Sequence, residues 1–178
     1  MCDSLENFPH KFALKKNLLS VHHRISVYDM GGEEIGHFHK EKSDEDRELL
    51  CFYATHHKEP LAWAEKISKD QGTEYILHAQ NEKPDSFVIT EEKLDNELDR
   101  GQIFLIEKNS EVIGKCQKTD FVHNKIVVTE EGQVSPSVVV KKAWKSVHDT
   151  WKVKLATHSH LLPWVIAFFA IILQREED

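Results

Sequence analysis

Two patterns divide this chain. As far as residue 156 the apolar positions come in short runs that alternate with polar ones, and from residue 161 to 173 no polar side chain interrupts them at all. Alternation is cleanest in Trp151-Lys-Val-Lys-Leu155, and Ile25 and Val27 alternate with Arg24 and Ser26 in the same sense. A period of two places successive side chains on opposite faces, so these runs predict strands with one dry and one wet face. Strand character falls near residues 11–17, 22–29, 33–40, 48–54, 60–68, 73–80 and 86–90, and again near 102–107, 111–118, 124–130, 136–143 and 149–156. Met30-Gly31-Gly32, His57-Lys58-Glu59-Pro60, Lys108-Asn109-Ser110 and Glu131-Gly132 separate consecutive runs with the residues that hairpin turns require. A weak repeat accompanies them: Tyr28 precedes Ile35-Gly36 by the same interval as Ile106 precedes Ile113-Gly114 and Ala54 precedes Leu61. Its irregular period fits a meandering sheet rather than a solenoid. Two stretches break the pattern: Glu91 to Arg100, where Leu94 and Leu98 among charges predict a short surface helix, and a charged loop at 41–48.

The tail predicts a helix of a particular kind. Pro163 suits a first helical turn, and Ser159 or Thr157 is placed to cap it. Trp164, Val165, Ile166, Phe168, Phe169, Ile171, Ile172 and Leu173 leave no side of that helix polar, so it must be buried all round. Packing on a single sheet would leave half of it wet. A barrel of about eleven or more strands is wide enough to hold a helix, whereas about eight strands are filled by their own side chains. The other solution is a tail anchor in a membrane. A span needs roughly twenty apolar residues, more than this run supplies, and Glu176-Glu177-Asp178 follow it at once. The pattern therefore predicts a mainly β chain, an antiparallel barrel of about twelve strands around a buried C-terminal helix at 161–173, forming one domain over 1–178.

Composition narrows function more than fold. The 178 residues are 40% hydrophobic and 30% charged, the balance of a globular chain, and the net charge of −7 speaks against nucleic acid as a partner. Cys2, Cys51 and Cys116 are few, odd in number and far apart, which suggests a reducing compartment without a disulfide frame. The first residues lack a basic and then apolar signal segment, so the cytoplasm is the expected location, with peripheral membrane association open.

The segment Lys141-Lys142-x-Trp144-x-Ser146, followed by Asp149-Thr150-Trp151-x-Val153 and then by the apolar run 161–173, resembles the LURP-one-related family, within the tubby C-terminal-like and phospholipid scramblase superfamily. There a strand ends in Lys-Lys-Trp-x-Ser, the next opens Asp-Thr-Tyr, and a hydrophobic helix finishes the chain. Ile25-Ser-Val-Tyr-Asp29 with Glu34-Ile-Gly36 is similar to the family's first hairpin, while residues 43–100 show little resemblance. The resemblance implies a tubby C-terminal-like barrel of about twelve antiparallel strands closed around its last helix. Tubby-like members bind phosphoinositides through basic side chains, scramblases are associated with membranes and Ca²⁺, and many LURP-one-like members have no assigned activity. This chain departs from the membrane-binding members in being acidic, and it has no EF-hand-like series of Asp and Asn.

Three chemistries remain as candidates. Lys141, Lys142, Lys145, Lys152 and Lys154, interleaved with Trp144 and Trp151, form one basic hairpin suited to a phosphorylated lipid headgroup or a membrane surface, although lysines also serve on outer strand faces merely to discourage edge pairing. His37 and His39 share a strand face, and with twelve histidines in the chain a Zn²⁺ or Cu²⁺ site is conceivable without any recognised ligand spacing. A tail-anchored, scramblase-like membrane protein is the third. No nucleophile elbow, phosphate loop or dinucleotide glycine series is present, and Cys51 and Cys116 lie in apolar strands as expected of core residues. The expectation is thus a non-enzymatic binding or scaffold protein that needs no cofactor.

Overall fold

The structure is a computed structural model that describes residues 2–16, 24–70, 72–80, 86–93, 102–117, 125–143 and 150–175. Twelve strands run in chain order: β1 (Lys11–Lys16), β2 (Ile25–Asp29), β3 (Glu34–Lys42), β4 (Glu48–Ala54), β5 (Ala62–Lys69) and β6 (Gly72–Ala79), then β7 (Phe87–Lys93), β8 (Gln102–Lys108), β9 (Glu111–Gln117), β10 (Lys125–Glu130), β11 (Val138–Ala143) and β12 (Thr150–Leu155). Each pairs antiparallel with its neighbours in sequence, and β12 returns to β1 to close the barrel. Closure removes the open sheet edges that would otherwise template aggregation.

Inside lies α1 (Pro163–Arg175), and no side chain from Trp164 to Leu173 is more than 3% exposed. The strands meet it with alternate side chains, burying every second residue of Trp151-Lys-Val-Lys-Leu155 while both lysines stay wet. Rings lock the helix in azimuth. Phe168 packs edge-on against Phe38 at 4.9 Å, Phe169 against Phe104 at 6.1 Å, and Trp164 against Phe87 at 5.7 Å. No helix among the described residues is long and apolar enough to cross a membrane, and the run read as a possible anchor is the barrel's core.

The ends are closed by local chemistry. A 3₁₀ turn at Leu5–Asn7 seals one mouth, with Cys2, Leu5 and Phe8 buried and Phe8 set edge-on to Phe12 at 5.1 Å. Glu130, at the end of β10, accepts the His160 N–H at 2.8 Å and so ties the approach to α1 onto the wall. Neither expected cap serves the helix. The Ser159 hydroxyl accepts the Leu161 N–H at 3.2 Å, ahead of the first turn, and Thr157 lies exposed in the preceding turn.

Gly36 and Gly114 explain two of the three occurrences of the repeat seen in the sequence. Each follows an isoleucine opposite a register shift, in the β2–β3 and β8–β9 hairpins, six strands apart around the barrel. A Cβ at Gly36 would fall 2.4 Å from the Tyr53 carbonyl oxygen, so only glycine fits there. Lys108 pairs Glu111 across a two-residue turn in which Asn109 and Ser110 both take positive φ, the turn whose twist suits a hairpin. Where a surface helix was expected, β7 runs on through Lys93 in register with β8, and Glu91 is buried at 2% exposure; residues 94–100 lie outside the described residues. Likewise β3 continues to Lys42, so the charged loop is only 43–47.

Candidate anion-binding wall

Outward-facing side chains of β10, β11, β12 and β1 form one continuous wall. Lys125 stands directly opposite Lys141, and Lys141 directly opposite Lys152, so three ammonium groups follow one another across three strands. One step along, Lys154 faces Lys11, and Lys15 completes the set beside Thr150. All six lysines are exposed. Between them lie only small or neutral outward residues: Ala13, Val127, Thr129, Val139 and Ala143. Strands β1, β11 and β12 contain no Asp or Glu, and the single carboxylate of β10 is the buried Glu130.

Like charges directly opposite on adjacent strands are destabilising, by an amount comparable to the roughly 0.2–1 kcal/mol that a favourable pair contributes. Here three such pairs stand side by side. Among the described residues none of the six lysines has a carboxylate within ion-pair distance; Lys15 instead rests its ammonium 4.3 Å from the Tyr28 ring centre.

The structure divides the basic hairpin expected from the sequence. Lys141, Lys152 and Lys154 share the outer face. Lys142 takes the other face, its ammonium 5.2 Å from the ring centre of Trp151, which is 5% exposed. Trp144 and Lys145 lie outside the described residues. Lys11, Lys15 and Lys125 were not anticipated. The alternation around Phe12 and Leu14 marks both β1 lysines as outward, but their position beside β12 depends on barrel closure.

His37 and His39 do share the outer face of β3. His37 stacks on Tyr53 of β4, with ring centres 5.4 Å apart, and burial followed by the nearby Arg24 charge holds its pKa below the ordinary value. His39 Nδ1 lies 3.6 Å from Glu41 Oε1. No group of three or more His, Cys, Asp or Glu side chains able to hold a metal ion occurs among the described residues.

All three cysteines are free thiols. Cys116 is in the core as expected, but Cys51, 2% exposed, belongs to the outer face. Leu50 and Phe52 on either side point inward, and Cys51 lies in register between His39 and Trp63. Burial, then the Glu41 charge and a hydrogen bond to Glu41, push its thiol up to about 12, which leaves it protonated and inert as a nucleophile at neutral pH.

Comparison of the chain with models of known families, with curated proteins and with solved structures finds no match. The class that the structure itself defines is a closed twelve-stranded antiparallel barrel around a C-terminal helix.

Proposed function

We propose that this is a non-enzymatic binding or scaffold protein whose lysine wall takes the phosphates of lipid headgroups at an anionic membrane surface. The observation that supports this reading is the run of cross-strand lysine pairs, Lys125–Lys141–Lys152 and Lys154–Lys11, without carboxylate partners among the described residues. An ion-paired wall would be more stable alone, whereas an unpaired one gains most from an external anion. Each lysine near an anionic surface contributes about 1 kcal/mol, so six amount to several kcal/mol.

The overall charge of −7 does not cancel this attraction. Twelve strands about 4.8 Å apart give a circumference of at least roughly 58 Å, and strand tilt brings the diameter to roughly 20 Å. The opposite wall therefore lies more than two Debye lengths away, about 8 Å each at physiological salt, and its charges are screened from the bound surface. Among the described residues the outward side chains between the lysines are small or neutral, so the contact this face makes is electrostatic.

Cosedimentation with vesicles tests the reading. Vesicles bearing phosphatidylserine or a phosphoinositide pellet the protein at low salt, neutral phosphatidylcholine vesicles do not, and added salt releases it. The double variant Lys141→Glu/Lys152→Glu stays in the supernatant with an unchanged or raised melting temperature. Equal binding to neutral vesicles, or full binding by the double variant, refutes it.

A further inference from the structure

We propose a second site, independent of the lysine wall: the outer flank of β3 to β5 around Glu41 binds an organic cation, an ammonium or guanidinium group. Glu41 stands out by its partners. Around it Glu34 pairs with Arg24, Glu48 with Lys40, Glu65 with Arg47 and Glu74 with Lys69. Glu41 has no Lys or Arg within ion-pair distance among the described residues, and its neighbour His39 carries charge only when protonated. The carboxylate accepts instead from neutral donors, the Tyr53 hydroxyl and the Cys51 thiol. Those bonds orient it without neutralising it. Its side chain is 36% exposed, so a ligand can reach it.

The surroundings are aromatic. Tyr53 stacks on His37, and two strands further on Trp63 stacks on His78 at 5.4 Å and 19° between planes. Cys51 lies in register between His39 and Trp63, and the small, buried thiol brings the rings of three adjacent strands onto one surface. A carboxylate held by a tyrosine hydroxyl on an outer face that also carries His37, Tyr53 and Trp63 can recognise a diffuse, weakly hydrated cation, through charge together with cation–π attraction. A hydrated alkali ion gains less, because the rings cannot replace its water.

The probes are tetramethylammonium and methylguanidinium, titrated into the full chain and followed by the ring resonances of His39, Tyr53 and Trp63, with NaCl at matched ionic strength as the reference. One or both organic cations shift these resonances saturably and NaCl does not. Saturation by methylguanidinium alone assigns recognition to directed N–H bonds with Glu41, and saturation by both assigns it to the rings and the charge. Glu41→Gln, which keeps an acceptor for Tyr53 and Cys51, weakens the interaction at least tenfold. Glu41→Asp, which keeps the charge but withdraws it by one methylene, weakens it less, and Glu48→Gln, at a carboxylate already paired with Lys40, leaves it unchanged. Shifts that follow ionic strength alone, or saturable shifts that survive Glu41→Gln in a folded protein, overturn the proposal.

Discussion

Two walls of one barrel, the lysine wall of β10–β12 and β1 and the wall of β2–β6, are built alike inside and oppositely outside. Inward, both present rings and aliphatic side chains to one helix: Phe12, Leu14, Val140 and Val153 on the first, Phe38, Leu50, Phe52 and Ala64 on the second, none more than 3% exposed. Outward, the second wall joins Arg24 to Glu34 at 2.5 Å, Lys69 to Glu74 at 2.5 Å, and Arg47 to Glu65. The first places lysine opposite lysine. Folding needs only the shared inner face. Because the period is two, each strand's outer face is free to differ at little cost to the core, and the unpaired wall is where charge is left for a ligand.

The largest effects should test the shared half of that comparison. Phe12→Ala in the lysine wall and Phe52→Ala in the paired wall remove rings that both pack on Phe8, and each should cost about 3–5 kcal/mol in urea unfolding. Tolerance of one but not the other would show that the walls are unequal inside as well. Next comes ligand binding. Each reversal at Lys141 or Lys152 removes about 1 kcal/mol of attraction and adds a similar repulsion. The double variant should therefore bind anionic vesicles about a thousandfold more weakly.

Stability should move the other way. Lys141→Glu alone turns both of its contacts, with Lys125 and with Lys152, into attractions and should raise stability by about 0.2–1 kcal/mol per relieved pair. The double variant relieves only the Lys125 pair, because two carboxylates then face each other at 141 and 152. Arg47→Ala on the paired wall should lower it by about 0.2–1 kcal/mol at low salt and leave vesicle binding untouched. If reversal on the lysine wall destabilises, the lysines are structural and the contrast between the walls collapses.

The smallest effect concerns pH. His37 titrates below its ordinary value of 6.5 because burial and Arg24 disfavour its charged form. Below that value the unfolded chain binds more protons than the folded one. His37 therefore contributes stability that is full above pH 6.5 and lost as pH falls through its lowered native pKa. Urea midpoints measured from pH 7 down to pH 5 should fall, and His37→Gln should fall less steeply.

Several of these features were legible in the chain itself. The strict alternation of Trp151-Lys-Val-Lys-Leu155 placed Lys152 and Lys154 outward, and the unbroken apolar run after Pro163 demanded burial on every side, which only an enclosing sheet supplies. Local pattern misled where long-range pairing won. Leu94 and Leu98 suggested a helix beginning at Glu91, but the ladder from Phe87↔Lys108 to Lys93↔Gln102 keeps residues 91–93 in β7. Lys141 and Lys142 looked like one patch, yet as strand neighbours they point to opposite faces. Cys51 sat in an apolar run and was read as core, although its alternation with Leu50 and Phe52 turns it to the outer wall beneath His39 and Trp63.

By itself the sequence determined the strands, their wet and dry faces and the need to enclose the tail, because side-chain period and hydrophobicity act over a few residues. Tertiary structure alone decided which lysines meet. Lys11 and Lys154 are separated by nearly the whole chain and stand opposite each other only because β12 pairs with β1, and Glu41 reaches Tyr53 and Cys51 only through the register of β3 on β4. Closure and register are collective: they follow from fitting twelve strands around one helix, and no local stretch of residues encodes them.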